Sequence, residues 1–174
     1  MNAAAADALM GVFGLKRAEW SSVSARRAVV LAIDPGPAQS GVVRFDGERV
    51  LFAGVIDNED VLKIIADDNS DALAIELFVA TNQRLGNESI ETIHWGGRFH
   101  QACGDPGGVL LIPRARVKRA LGVGHRGGDR EVNAALLAAI GPKGTKKNPG
   151  PTYGVSTHAW AALGVAYAAL KEMA

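Results

Sequence analysis

The chain has little sulfur chemistry to offer: one cysteine, Cys103, in 174 residues. That excludes a disulfide framework and a cysteine-built metal centre, and a reducing cytosol is the simple setting. Long hydrophobic runs are missing too; none approaches the roughly 18 residues that a membrane-crossing helix needs. The opening MNAAAADALMGVFGLKRAEW lacks the basic leader of a secretory signal and carries Asp7 and Glu19. The expected location is therefore cytoplasmic, with an organellar targeting role for residues 1–25 left open. No internal repeat is visible. What is present, 48% hydrophobic and 21% charged residues, is ordinary for one soluble domain long enough to bury a core.

Net charge is nearly absent as well, at +1, but the balance shifts along the chain: residues 1–80 carry 12 acids against 7 bases, residues 81–174 carry 6 against 12. Between Pro113 and Lys147 nine bases face only Asp129 and Glu131: Arg114, Arg116, Lys118, Arg119, Arg126, Arg130, Lys143, Lys146 and Lys147. A local excess of that size on a near-neutral protein points to a polyanionic partner, the alternative being an inert solvated face.

Hydrophobic patterning predicts an α/β sheet of mixed direction. Residues 1–25 read as an appended amphipathic helix or flexible arm, and residues 26–174 as the domain proper. A short strand, Ala28 to Ile33, is followed by GVVRF and RVLFAGVI around Asp46-Gly47, a two-residue hairpin signal. The first three strands thus form an antiparallel meander. DNEDVLKIIADD reads as a helix capped by Asp57 or Asn58, with Val61, Leu62, Ile64 and Ile65 inward. ALAIEL is a continuous apolar run typical of a central strand. A helix over about Asn87–Ala102 follows, loosened at Gly96-Gly97, with Trp95 and Phe99 on one face, for a dimer interface or for the core. Val109–Pro113 is a fifth strand. ARVKRALG and DREVNAALLAAIG are helices around a glycine-rich turn, the second capped by Asp129. PKGTKKNPGP has nothing to pack and reads as a loop. A last helix runs from about Thr157 to Lys171, with Ser156 or Thr157 as its cap.

Two acids disturb this pattern. Asp34 ends the first strand in LAIDPGPAQSGVV, and Glu76 sits among apolar neighbours in ALAIEL. A carboxylate in a central strand is costly unless it is paired or binds a cation. One such acid is commonly satisfied by an arginine; two on neighbouring strands call for a cation between them, and hard oxygen donors suit Mg²⁺ or Mn²⁺. His158 heads the last helix on the face marked by Ala162, Val165 and Ala169, which turns it toward those strand ends. Alone it would read as a satisfied core histidine; beside two acids it reads as a third ligand. Gly36 and Gly41 are expected to turn the intervening loop tightly and leave room for a phosphate. Apolar-Asp-x-Gly also opens the phosphate loop of sugar kinases and actin-like ATPases, but those folds need two such domains and this chain holds no second phosphate motif.

LAIDPGPAQSGVV, ALAIE, RVKRALGVG and the histidine-headed STHAWAALGVAYAAL, in this order, resemble the RuvC-like Holliday junction resolvases of the RNase H-like superfamily. ETIHWGGRF and KGTKKNPGPTYGVSTHAWAALGVA resemble the phage and prophage branch most, and the likeness runs from about Val29 to Leu170. The resemblance implies an RNase H-like fold with a five-stranded mixed sheet flanked by helices. It also implies a bacterial or phage-encoded homodimeric endonuclease that cuts four-way DNA junctions by paired incisions.

Asp34, Glu76 and His158 fall on its metal ligands, with two Mg²⁺ or Mn²⁺ ions expected per site, and Lys118 on a base assisting at the scissile phosphate. Arg114, Arg116, Arg119, Arg126, Arg130, Lys143, Lys146 and Lys147 would bind the DNA backbone. One departure stands out: the family places a further acid three residues after the terminal-helix ligand, and this chain has Ala161. Asp129 is the nearby acid in the basic region that would substitute for it. The competing readings are a nuclease of the same superfamily acting on other branched DNA or on RNA–DNA hybrids, and a junction-binding protein whose catalysis is impaired.

Overall fold

Val30, Leu31, Ala32 and Ile33 have no more than 1% of their surface exposed, as a strand covered on both faces requires. They belong to β1 (Val30–Asp34), at the centre of a five-stranded sheet of order β3-β2-β1-β4-β5. The computed structural model describes residues 27–80 and 84–174; the helix or arm predicted for residues 1–25 lies outside them. β2 (Gln39–Phe45) and β3 (Val50–Asp57) run antiparallel to their neighbours, giving the expected meander. β4 (Ala72–Leu77) and β5 (Leu110–Pro113) pair in parallel beyond β1. The helices are α1 (Asn58–Asp67), α2 (Asn87–Ala102), α3 (Arg114–Ala120), α4 (Asp129–Ile140) and α5 (Ala159–Met173).

The two-residue period of the strands divides the core. Leu31, Ile33, Val42, Leu73 and Ile75 face α1 and α2, meeting Val61, Ile65 and Phe99. Val30, Ala32, Val43, Ala74 and Ile112 face α5, with α3 and α4 behind it. α5 is apolar almost all round, as a helix covered on both sides must be. Its Ala159, Ala162, Ala166 and Ala169 bring it close to the sheet, and a Cβ at Gly164 would lie 2.8 Å from Val117 of α3.

Several local expectations are corrected. The β2–β3 connection spans Asp46–Arg49, longer than a two-residue turn: Gly47 has φ +90°, and Asp46 Oδ1 accepts the amides of Glu48 and Arg49. α2 passes Gly96-Gly97 unbroken, and its Trp95 stacks on the buried Phe99, their rings 5.7 Å apart. Gly128, not Asp129, caps α4, with Glu131 closing back on its amide. The segment expected to pack nowhere is folded on itself: Gly144 pairs with Pro149, and Pro151 accepts the Val50 amide. α5 begins later than expected, with His158 as its N-cap.

Gly41 lies within β2 rather than in the loop, and its role is close packing. A Cβ there would stand 2.4 Å from the carbonyl oxygen of His158, a backbone atom that cannot yield cheaply. Gly41→Ala is therefore expected to push the head of α5 off the sheet and destabilise the protein by about 1–3 kcal/mol. Thermal unfolding should show Tm lower by several degrees; an unchanged Tm would mean that α5 is not clamped at this point.

Candidate active site

The parallel register pairs Ile33 of β1 with Ile75 of β4, so the next residues, Asp34 and Glu76, come side by side at the C-terminal ends of the two central strands. Both share the parity of Ala32 and Ala74, whose face is covered by α5. Strand pairing alone thus delivers two acids to one spot, where open α/β sheets commonly place their ligands. Behind Asp34 the loop is fastened by a polar network. Ser40 Oγ donates to Asn58 Oδ1 at 2.6 Å and accepts the Gly36 amide, while Asn58 Nδ2 donates to the Gly36 carbonyl. Gly36 is needed there, because a Cβ would meet the Gln39 carbonyl at 2.3 Å.

The two carboxyl groups lie close enough to interact, and a proton on either would join them by a hydrogen bond. Burial, reinforced by the neighbouring Asp34 charge, pushes Glu76 up to about 8 from an ordinary 4.5. Burial also raises Asp34, against the opposing pull of its hydrogen bond to Glu76 and the nearby His158. Both shifts run upward, so burial favours a proton within the pair.

Around this pair lies a cleft of about 400 Å³, walled by Arg114, Asp129, Asn133, Thr157, His158 and Ala161. His158 stands at its mouth, with an exposed side chain and Nδ1 4.0 Å from Asp34 Oδ2. The residue before it, Thr157, has φ +37°. That left-handed conformation is unusual for a β-branched residue, costs on the order of 1 kcal/mol, and sets the turn that presents the imidazole. Arg114, at the start of α3, has Nη1 4.0 Å from Glu76 Oε2 and Nη2 in contact with Asp129 Oδ1. Asp34, Glu76 and Arg114 also border a second, more apolar cleft of about 450 Å³ beside Phe78 and Val79. A larger hollow of about 760 Å³ lies elsewhere, between β3 and Pro149–Gly154. Its one acid, Glu48, is paired with Arg27.

The donor chemistry fits a divalent cation in part. Two partly buried carboxyls in contact are what a hard cation would join. The third donor is not in place: among the described residues no three His, Cys, Asp or Glu side chains stand together in an arrangement able to hold a metal ion. His158, with Nδ1 4.0 Å from Asp34 Oδ2, is the histidine of the cleft. Ala161 lines the cleft without offering a donor.

The other predicted residues divide. Lys118 is outside the cleft, its amino group donating to the His125 carbonyl at 3.0 Å. Arg116 pairs with Glu172 on α5, and Arg114 is turned into the acid site rather than onto an open basic face. Arg119, Arg126, Arg130, Lys143, Lys146 and Lys147 are exposed. Sequence reasoning missed the Ser40–Asn58 network and the strain at Thr157. The first left a signal, two polar residues in strand and helix-start positions; the second left none.

A carboxyl whose pKa is raised by folding, as burial raises that of Glu76, makes stability depend on pH with a definite sign. Between about 4.5 and 8 the folded protein binds the extra proton, so unfolding free energy falls as pH rises, by at most about 1.4 kcal/mol per pH unit. Denaturant titrations without divalent ions at pH 5, 6.5 and 8 should show this decline, and Asp34→Asn should flatten it. Stability that instead rises toward pH 8, or a decline that Asp34→Asn leaves untouched, would mean that the Asp34–Glu76 pair takes up no proton on folding.

No protein-family model matches the chain, and the search of curated proteins finds no match. Solved structures do match. Thermus thermophilus RuvC in complex with a Holliday junction substrate is 23% identical, with a TM-score of 0.62 over 84% of this chain and 95% of that one. A second Thermus thermophilus RuvC structure is 22% identical, with a TM-score of 0.62 over 83% and 95%. The five-stranded mixed sheet with its flanking helices is the RNase H-like fold of RuvC.

Proposed function

We propose that this chain is a RuvC-like, divalent-metal-dependent endonuclease that cuts four-way DNA junctions by paired phosphodiester hydrolysis as a homodimer, with residues 26–174 as its nuclease domain. The observation that carries the reading is the Asp34–Glu76 pair at the ends of β1 and β4. A protein that only binds has no use for two partly buried acids held in contact, whereas a hydrolase that needs a cation does. The fold match adds support, since one of the matching RuvC structures holds a Holliday junction substrate.

Asp34 and Glu76 would hold Mg²⁺ or Mn²⁺, with His158 turning in as a further ligand. A bound divalent ion supplies Lewis-acid stabilisation of the charge that builds on the scissile phosphate. In the reaction the water oxygen bonds to phosphorus while the P–O3′ bond breaks. The water's proton passes to solvent and O3′ takes one up, which leaves 5′-phosphate and 3′-hydroxyl ends. Lys118 would release the His125 carbonyl to reach the phosphate. Arg119, Arg126, Arg130, Lys143, Lys146 and Lys147 would hold the DNA backbone, with Arg116 joining if Glu172 lets it go. Paired cuts require two sites related by a two-fold axis. Ile90 and Ile93 of α2, with Leu77 at the end of β4 and Phe78 and Val79 after it, form an exposed apolar surface on which a second copy and the parted junction would be met.

Cleavage of a labelled four-way junction, a flap, an RNA–DNA hybrid and plain duplex in Mg²⁺ should show the junction cut fastest, by paired incisions. Asp34→Asn should lower the rate at least about 100-fold while junction binding persists. Equal cleavage of the hybrid would favour the broader nuclease reading. Binding without cleavage by either protein would favour the impaired binder.

Affinity should also fall steeply with salt. If the six exposed bases each meet a phosphate, the slope of log K against log salt is about −5, and replacing Lys143, Lys146 and Lys147 by alanine should reduce it by about 3. A slope near zero would remove these residues from the interface.

A further inference from the structure

Arg114 is an unusual neighbour for two acids that await a cation. It follows β5 directly, and the β4–β5 register that pairs Glu76 with Ile112 and Leu77 with Pro113 carries it to the rim of the acid site. Its guanidinium spans two carboxylates, Glu76 on one side and Asp129 on the other. The nitrogen on the Glu76 side, Nη1, is buried and has no hydrogen-bond partner. A buried N–H without an acceptor is unfavourable, so this donor would gain a partner wherever the cleft admits an oxygen from outside the protein. The group borders both clefts that open on the acid pair.

The rest of the wall argues against a second divalent ion. Beyond Asp34 and Glu76 the further acid in the cleft is Asp129, and it is already neutralised by Arg114. Ala161, one turn along α5 from His158, presents a methyl group. Asp34, Glu76 and Asp129 carry three negative charges when ionised, and Arg114 with one divalent ion balances them. A second divalent ion would have to bind next to the guanidinium with no carboxylate of its own, Asp129 being held by Arg114.

Building on the nuclease reading above, we propose that Arg114 is the second cation of this active site: its guanidinium does the electrostatic work of a second metal ion by donating Nη1–H to a non-bridging oxygen of the scissile phosphate, and Asp129 orients it for that contact. The site then works with one divalent ion per chain. Arg114 is on this account a catalytic residue, because it touches the reacting phosphate, and Asp129 is a positioning residue. Arginine suits the task better than lysine, since its planar fork can hold Asp129 and the phosphate together.

Calorimetric titration of the full-length protein with Mn²⁺, run beside single-turnover junction cleavage, tests this. The wild type should bind one Mn²⁺ per chain, a readout that requires no variant to fold. Arg114→Gln should bind Mn²⁺ several-fold more tightly, because a nearby positive charge is gone, yet cleave on the order of 100-fold more slowly. A merely structural arginine would not move those two quantities in opposite directions. Asp129→Asn should keep its Mn²⁺ affinity and lose part of the rate, and Arg114→Gln with Ala161→Asp should take up a second Mn²⁺. Two Mn²⁺ per wild-type chain would overturn the proposal while leaving the nuclease reading intact, as would full activity in Arg114→Gln. Loss of Mn²⁺ binding in Asp129→Asn would overturn it by making Asp129 a ligand. Absence of both Mn²⁺ binding and cleavage in the wild type would bring down both readings.

Discussion

Parallel pairing of β1 with β4 forces two carboxyl groups into contact, and much else in the structure is arranged around that contact. Left ionised and unaccompanied, Asp34 and Glu76 would repel each other in a partly dry environment. A pKa raised by burial, which favours a proton within the pair, and a guanidinium 4.0 Å from Glu76 both relieve this. Neither is a complete answer, because the proton is lost as pH rises and the guanidinium is also engaged by Asp129. The arrangement leaves two acids incompletely satisfied at the ends of the central strands, which is the state the proposed metal-dependent activity would start from.

The scaffold keeps that compromise rigid. Both faces of the sheet are packed, by α1 and α2 on one side and by α5 with α3 and α4 behind it on the other, so the strand ends have little freedom to spread. Small residues set the distances. Gly41 admits the backbone of His158, the alanines of α5 lie against the sheet, and Gly36 closes the turn that Ser40 and Asn58 then fasten. The rim is more open to solvent: the His158 side chain is exposed, and Asp129 reaches in from the first residue of α4 to meet Arg114. On the proposed reading, a preformed carboxyl pair of this kind would take a cation and a phosphate without refolding.

Much of this was legible in the residues because it depends on periods and on cost. Continuous apolar runs marked β1 and β4, and the expense of a carboxylate in such a run singled out Asp34 and Glu76 before any contact was known. Apolar spacing locates all five strands and all five α-helices of the described residues within a few positions. What escaped was whatever depends on which backbone meets which. The adjacency of Gly41 to His158 joins residues 117 positions apart, and no local pattern encodes it. Arg114 carried the same charge as its basic neighbours in the sequence; only the β4–β5 register separates it from Arg119 or Arg126 and sets it against Glu76. Asp129 looked like a helix cap because it precedes a helix, yet the glycine before it takes that place and leaves the acid free to hold Arg114.

An anomalous difference map from a crystal of the wild-type protein soaked in Mn²⁺ tests the central claim most directly. The account requires a manganese peak coordinated by carboxylate oxygens of both Asp34 and Glu76, with the hydrogen bond between them broken. Two carboxyls still bonded to each other, with no manganese between them at saturating Mn²⁺ and neutral pH, would contradict it.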